Sequence, residues 1–86
     1  MYYTYLLQSA KDREWYTGAT SDLRARVQSH NQGQVGSTRP RRPLKLIYYE
    51  ACLCEADAWR RERFLKTGKG KRYLRRRLTM WLARND

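Results

Sequence analysis

Carboxylates are scarce in this chain. Eight Asp and Glu stand against nineteen Lys and Arg in 86 residues, leaving a formal net charge of +11. Such an excess calls for a polyanionic partner, and nucleic acid is the commonest one. Long apolar runs are missing too. None could span a bilayer, and Met1 leads straight into a strand-like pattern without signal-peptide architecture. A membrane-surface role fits less well, because the basic residues spread over several elements and loops instead of one amphipathic helix. Cysteine is limited to Cys52 and Cys54, a C-x-C pair too close for an easy disulfide. No second Cys or His cluster exists to complete a zinc site. Reduced thiols and a cytoplasmic setting are the expectation. The length suits a single domain over residues 1–86 with one small core.

What the chain does have is organised around Trp15–Asn31. Glu14–Thr17 reads as a strand broken by Gly18, and Thr20, Ser21 and Asp22 offer oxygens to cap a helix. That helix lines up Leu23, Val27 and His30 at i, i+4 and i+7, with Arg26 beside the stripe. Taken singly, His30 reads as a core-edge histidine and Arg26 as a snorkelling surface residue. Taken together, with Tyr16 delivered at the strand end, they suggest an anion site.

Before this stretch, Tyr2–Gln8 reads as a strand apolar on both faces and therefore central, with Tyr3, Tyr5 and Leu7 on one side. After it, Gln32–Pro43 carries two glycines, two prolines and three arginines, and reads as a mobile basic loop without regular structure. Leu44–Glu50 reads as a third strand. Glu55–Thr67 reads as a second helix, with Ala58, Glu62 and Leu65 on one stripe. Gly68 and Gly70 punctuate the chain before a third helix, Lys71–Ala83, whose apolar face is Leu74, Leu78, Trp81 and Leu82. The order β-β-α-β-α-α predicts an α/β domain on a small sheet that is not purely parallel.

Phosphodiester cleavage needs an aligned nucleophile, an acceptor for its proton and positive charge at phosphorus. One carboxylate holding Mg²⁺ or Mn²⁺ among waters is the minimal metal site. Glu62 is the candidate, since an inward-facing carboxylate must be paired or metal-bound. An ion pair to Arg26 or a neighbouring arginine explains it equally well. The other carboxylates, from Asp12 to Asp86, fall in loops, caps or strand ends. Tyr5 and Tyr16 stand out among the tyrosines only because both hairpin strands bring one near the capped helix.

Y-T-Y at Tyr3–Tyr5, W-Y-T-G ending at Gly18, Arg26, His30 and a later helical Glu62 together resemble the GIY-YIG nuclease family. T-R-P-R-R-P-L-K-L-I-Y at Thr38–Tyr48 resembles its small stand-alone branch. The resemblance covers nearly the whole chain and implies a small mixed three-stranded sheet flanked by three helices. It implies a metal-dependent endonuclease acting on DNA, with RNA as a second substrate class. Branched, nicked or single-stranded forms are the expected targets, and DNA repair the expected context. By that resemblance Tyr5 and Tyr16 close and open the two triplets, without settling which acts as base. Arg26 matches the arginine that binds the scissile phosphate, His30 matches a catalytic-site position that is histidine or tyrosine in many members, and Glu62 matches the glutamate that holds one Mg²⁺ or Mn²⁺. Arg39, Arg41, Arg42, Lys66, Lys69 and Lys71 are the expected nucleic-acid contacts, and no obligate protein partner is implied. The first triplet departs from the family in carrying Tyr3 for glycine, and both triplets have threonine in the middle. Arg77 or Thr79 stands near where many members carry an asparagine. The alternatives are a basic nucleic-acid-binding protein that keeps the fold without efficient cleavage, and a small ribonucleoprotein assembly factor.

Overall fold

Strand β1 (Tyr2–Ser9) takes the middle of a three-stranded sheet, as its two apolar faces require. It pairs with β2 (Trp15–Thr20) on one side and β3 (Leu44–Cys52) on the other, and both pairings are antiparallel. The computed structural model describes residues 1–85, so position 86 of the expected domain, and the carboxylate of Asp86, lie outside the described residues. The expectation of a mixed sheet is corrected: no parallel pair forms among the described residues. Helix α1 (Leu23–Asn31) carries the chain from β2 to β3. Those two strands run in the same direction but lie on opposite sides of β1 and never touch.

Gly18 does not break β2. It sits inside the strand opposite Tyr5, where a Cβ would overlap the Tyr5 ring and hydroxyl. A glycine here lets a large side chain cross the strand.

The sheet separates two apolar clusters. Tyr5, Leu7 and Leu44 pack with Leu23, Val27 and Leu46 on the α1 side. Leu6, Leu65 and Leu74 pack with Trp15, Ile47, Tyr48 and Leu78 on the side of α2 (Glu55–Leu65) and α3 (Gly68–Arg77). Each of these fully buried leucines contributes about 1.5–3 kcal/mol relative to exposure. The β1–β3 register shifts between Leu6 and Leu7. That irregularity sends Leu46 to the first cluster and both Ile47 and Tyr48 to the second.

The single third helix expected from the apolar spacing is two. Leu78 leaves helical geometry (φ −105°, ψ 20°) between α3 and α4 (Thr79–Asn85). The Thr79 hydroxyl donates to the carbonyls of Arg75 and Arg76, at 3.2 and 2.7 Å, and so competes with helix continuation. Helix α3 also begins earlier than expected. The Thr67 hydroxyl caps it by accepting from the Gly70 amide at 3.1 Å. Gly70 lies so close to the end of α2 that a Cβ would overlap the Phe64 carbonyl, so this glycine is a packing contact within the helix and no punctuation.

The basic segment 32–43 is more ordered than its composition implied. Arg39–Arg41 form a 3₁₀ turn, Thr38 is fully buried, and the Arg42–Pro43 peptide is cis. The Ser9 hydroxyl donates to the Arg41 carbonyl at 2.6 Å, and Arg41 Nε meets Asp12 at 3.2 Å. Asn31 clamps the start of β3, accepting from the Leu44 amide at 2.7 Å and donating to its carbonyl at 2.8 Å.

Candidate active site

The hairpin places Tyr5 on the central strand and Tyr16 on the edge strand, two residues from the partner of Tyr5 and on the same face. Asp22 starts α1 by accepting from the Ala25 amide at 3.1 Å, which sets the phase of the helix. Two turns later that phase brings His30 under the sheet with no exposed surface. The Tyr16 and His30 rings meet edge-on with centroids 4.9 Å apart, and Tyr5 stands 5.8 Å from His30.

A buried hydrogen-bond chain runs through His30. Its Nε2 lies 2.9 Å from the Tyr5 hydroxyl and its Nδ1 lies 2.8 Å from Thr38 Oγ1. The Thr38 hydroxyl has the Val35 carbonyl as its acceptor at 3.4 Å. With the hydroxyl donating there, its oxygen accepts from His30 Nδ1–H and the other ring nitrogen accepts from Tyr5. That arrangement corresponds to the tautomer protonated on Nδ1, which aims a lone pair at the tyrosine.

Electrostatics favour the neutral forms of both partners. Burial, followed by the positive charge of Arg26, lowers the His30 pKa below its usual 6.5. Tyr5 moves the other way: burial first, then Tyr16, and finally Glu62 push its hydroxyl well above the ordinary phenol range, with Arg26 opposing. Arg26 and Glu62, from different helices, therefore both act on the same tyrosine.

Arg26 is exposed and lines a small cleft of about 200 Å³ at the far end of β2, with Ala19, Ser21, Glu55 and Trp59. It forms no ion pair among the described residues. Glu62 pairs with Lys66 one turn along α2, at 3.0 Å, so the arginine partner considered from spacing is replaced by a lysine. The neighbouring Arg61 is engaged elsewhere. It binds both oxygens of Glu50, at 2.8 and 3.1 Å, and stacks over Phe64 and Tyr73.

Tyr5, Tyr16, Arg26, His30 and Glu62 are thus brought to one region around the β2 edge. Lys66 and Lys71 line a hollow beside Tyr16, while Lys69 stands exposed at the start of α3. Arg39 and Arg42 line a separate hollow with Lys11 and Asn31. Their Nε groups donate to the carbonyls of Gly33 and Arg39, at 2.8 and 2.9 Å. Arg77 ends α3 as an exposed residue, and the Thr79 hydroxyl is spent on the end of α3.

For a divalent ion the donor set is spare. No group of three or more His, Cys, Asp or Glu among the described residues could enclose one. Glu62 alone, with its side chain 23% exposed, fits a hard cation that keeps most of its waters and takes the rest of its shell from a phosphate.

Thr38 is the residue that sequence reasoning passed over. It was visible only as the first letter of the arginine-rich stretch, and a threonine before arginines and prolines reads as loop chemistry.

Comparison with known proteins agrees with this architecture. A family profile described as the GIY-YIG catalytic domain matches residues 1–78. A UPF0213 protein of Staphylococcus haemolyticus is 39% identical over 67 residues, covering 77% of this chain and 80% of that one. A UPF0213 protein of Staphylococcus aureus is 36% identical over 75 residues, with 86% and 90% covered. The solution NMR structure of the UPF0213 protein BH0048 from Bacillus halodurans superposes with a TM-score of 0.52 at 35% identity, covering 86% of this chain and 82% of that one. No helix among the described residues is long and apolar enough to cross a membrane.

Proposed function

Because this chain belongs to the GIY-YIG family, whose catalytic domain is of nuclease type, we propose that it hydrolyses phosphodiester bonds of DNA, with Tyr5 and His30 as its proton-accepting pair. The observation that carries this reading is the buried chain from the Tyr5 hydroxyl through His30 to Thr38. A water oxygen bonds to phosphorus while its proton passes to the Tyr5 oxygen. The Tyr5 proton moves to His30 Nε2, and the bond to the leaving oxygen breaks. Tyr5 need never exist as a free phenolate, which its raised pKa would make costly. Gly18 lets the hydroxyl lie directly against β2, where a Cβ would overlap it. Tyr16 orients the water from the cleft, and Arg26 meets the charge that grows on the phosphate.

Glu62 would hold Mg²⁺ or Mn²⁺, releasing Lys66 to the substrate. When bound, the ion supplies Lewis-acid stabilisation of the phosphoryl and leaving oxygens. The arginines of segment 39–42 contact the phosphate backbone away from the chemistry and position it without reading bases.

Glu62→Gln and Tyr5→Phe test the reading together. Both should bind DNA as the wild type does, because neither removes a cation. Cleavage of nicked, branched and single-stranded DNA with Mg²⁺ or Mn²⁺ should vanish in the first and fall by about 10²–10⁴ in the second. The partly exposed Glu62–Lys66 pair is worth about 1 kcal/mol, so Glu62→Gln should stay folded. Full activity in Tyr5→Phe would remove the relay. A wild type that binds every substrate and cuts none would leave a nucleic-acid-binding module.

A further inference from the structure

Beside Tyr16 the edge strand borders a hollow of about 550 Å³, the size of a pocket for one small ligand. Lys66, Lys71 and Arg75 line it together with Trp15 and one carboxylate, Glu14. The Trp15 indole is fixed from two sides. It packs on the Leu6–Leu65–Leu74 cluster, and its N–H donates to Gln8 Oε1 at 2.9 Å. The Arg75 guanidinium lies over this ring, 5.3 Å from its centroid. Arg75 is otherwise exposed, so an indole anchored in the core holds a guanidinium that remains open to solvent.

A guanidinium plane held in this way is a stacking surface for a nucleobase. A base inside a continuous duplex is covered on both faces by its neighbours. Only an unstacked base can use the plane. The hollow also adjoins the catalytic cluster at two points, since Tyr16 and Lys66 line it and Lys66 pairs with Glu62.

We propose that this hollow holds one unpaired nucleotide of the substrate strand, its base stacked on Arg75 and its phosphate between Lys66 and Lys71. The proposal rests on DNA being the substrate and narrows which DNA. A strand then runs along the β2 edge, from the Arg26 cleft at Ala19–Ser21, past Gly18, to the hollow at Trp15–Thr17. Continuous duplex fills only the first part of this track. Strands with an unpaired nucleotide beside the cut fill both.

The test is binding by fluorescence anisotropy in EDTA, with a labelled single strand of about 12 nucleotides, an abasic strand of equal phosphate count, and the duplex. Wild type should hold the base-bearing strand about fivefold or more tighter than the abasic one, the scale of a single stacked base. Arg75→Lys keeps the charge and loses the plane. It should bind the abasic strand and the duplex like wild type, with the same salt slope, and lose the preference for bases. Equal wild-type affinity for the base-bearing and abasic strands overturns the proposal, as does a preference that survives in Arg75→Lys. Cleavage is scored separately with Mg²⁺. Base preference without cleavage supports the hollow and sinks the nuclease; cleavage without base preference does the reverse.

Discussion

Replacing Thr38 with valine exchanges one hydroxyl for a methyl group at a site with no exposed surface. The shape of the loop survives, but His30 Nδ1–H loses its acceptor, which now lies 2.8 Å away. Two responses are open to the ring. If it keeps its proton on Nδ1, a buried donor goes unpaired, at a cost of about 1–3 kcal/mol. At about 4–8 °C per kcal/mol for a domain of this size, the melting temperature falls measurably. If the proton moves to Nε2, the bond to Tyr5 reverses: the imidazole donates, the tyrosine accepts, and no lone pair faces the nucleophile. Cleavage then falls by about 10²–10⁴ even where stability holds. The chain contains one histidine, so the ¹⁵N spectrum of the imidazole reports a single ring and reads the tautomer directly. Wild type and Thr38→Ser should carry the proton on Nδ1, and Thr38→Ser should recover both activity and tautomer. A Thr38→Val protein with wild-type cleavage, unchanged melting and an Nδ1-protonated ring would refute the relay and leave His30 a packing residue.

Two further outcomes follow from the same geometry. Gly18→Ala should destabilise the fold and depress cleavage more than it depresses DNA binding, because its methyl group overlaps the Tyr5 ring and hydroxyl, and Tyr5 is only 2% exposed; wild-type melting and turnover in that variant would show that Tyr5 has room to move. The depressed pKa of His30 makes the unfolded chain the better proton binder below about pH 6.5. Its contribution to stability is therefore complete above that pH and declines as pH falls, with a slope reaching about 1.4 kcal/mol per pH unit while the unfolded ring is charged and the folded one is not. Urea titrations from pH 7.5 to 5 should show this slope in wild type and lose it in His30→Gln, and equal slopes in the two would assign the pH dependence to other groups.

Much of this arrangement is legible in the chain because it depends on local rules. The run Thr20, Ser21 and Asp22 announces a helix start, the Leu23–Val27–His30 spacing announces which side of the helix faces inward, and the two apolar faces of Tyr2–Gln8 announce a central strand. Each is a matter of one periodicity or one cap. What escaped depends on contacts between distant segments. Gly70 looks like a stop signal until the end of α2 is seen to press against it. The apolar stripe through Leu78 survives the break between α3 and α4, since Leu78 still packs on the second cluster, so periodicity alone reads through the kink. For Glu62 the spacing leaves a metal ion and an arginine partner equally open, and it cannot show that Arg61 is claimed by Glu50 on β3 or that Lys66 pairs with Glu62. The family resemblance supplied Tyr5, Tyr16, Arg26, His30 and Glu62 as one set, and the fold brings them to one region. It could not supply Thr38 as the second partner of His30, because that bond spans the basic loop.

The position of β1 between its two partners also governs the order in which the molecule can form. Its pairing with β2 closes a short hairpin, but its pairing with β3 joins Tyr2 to Cys52 and waits until the chain reaches that far. During synthesis the first strand emerges before all others and keeps an open edge until β3 arrives to cover it. Tyr5, Tyr16, Arg26 and His30 are all in place on that early piece, yet Thr38 and Glu62 belong to the later one. A growing or truncated chain therefore carries the two tyrosines, Arg26 and His30 without Thr38 and Glu62, and the cleavage proposed above would wait for the closing of the sheet.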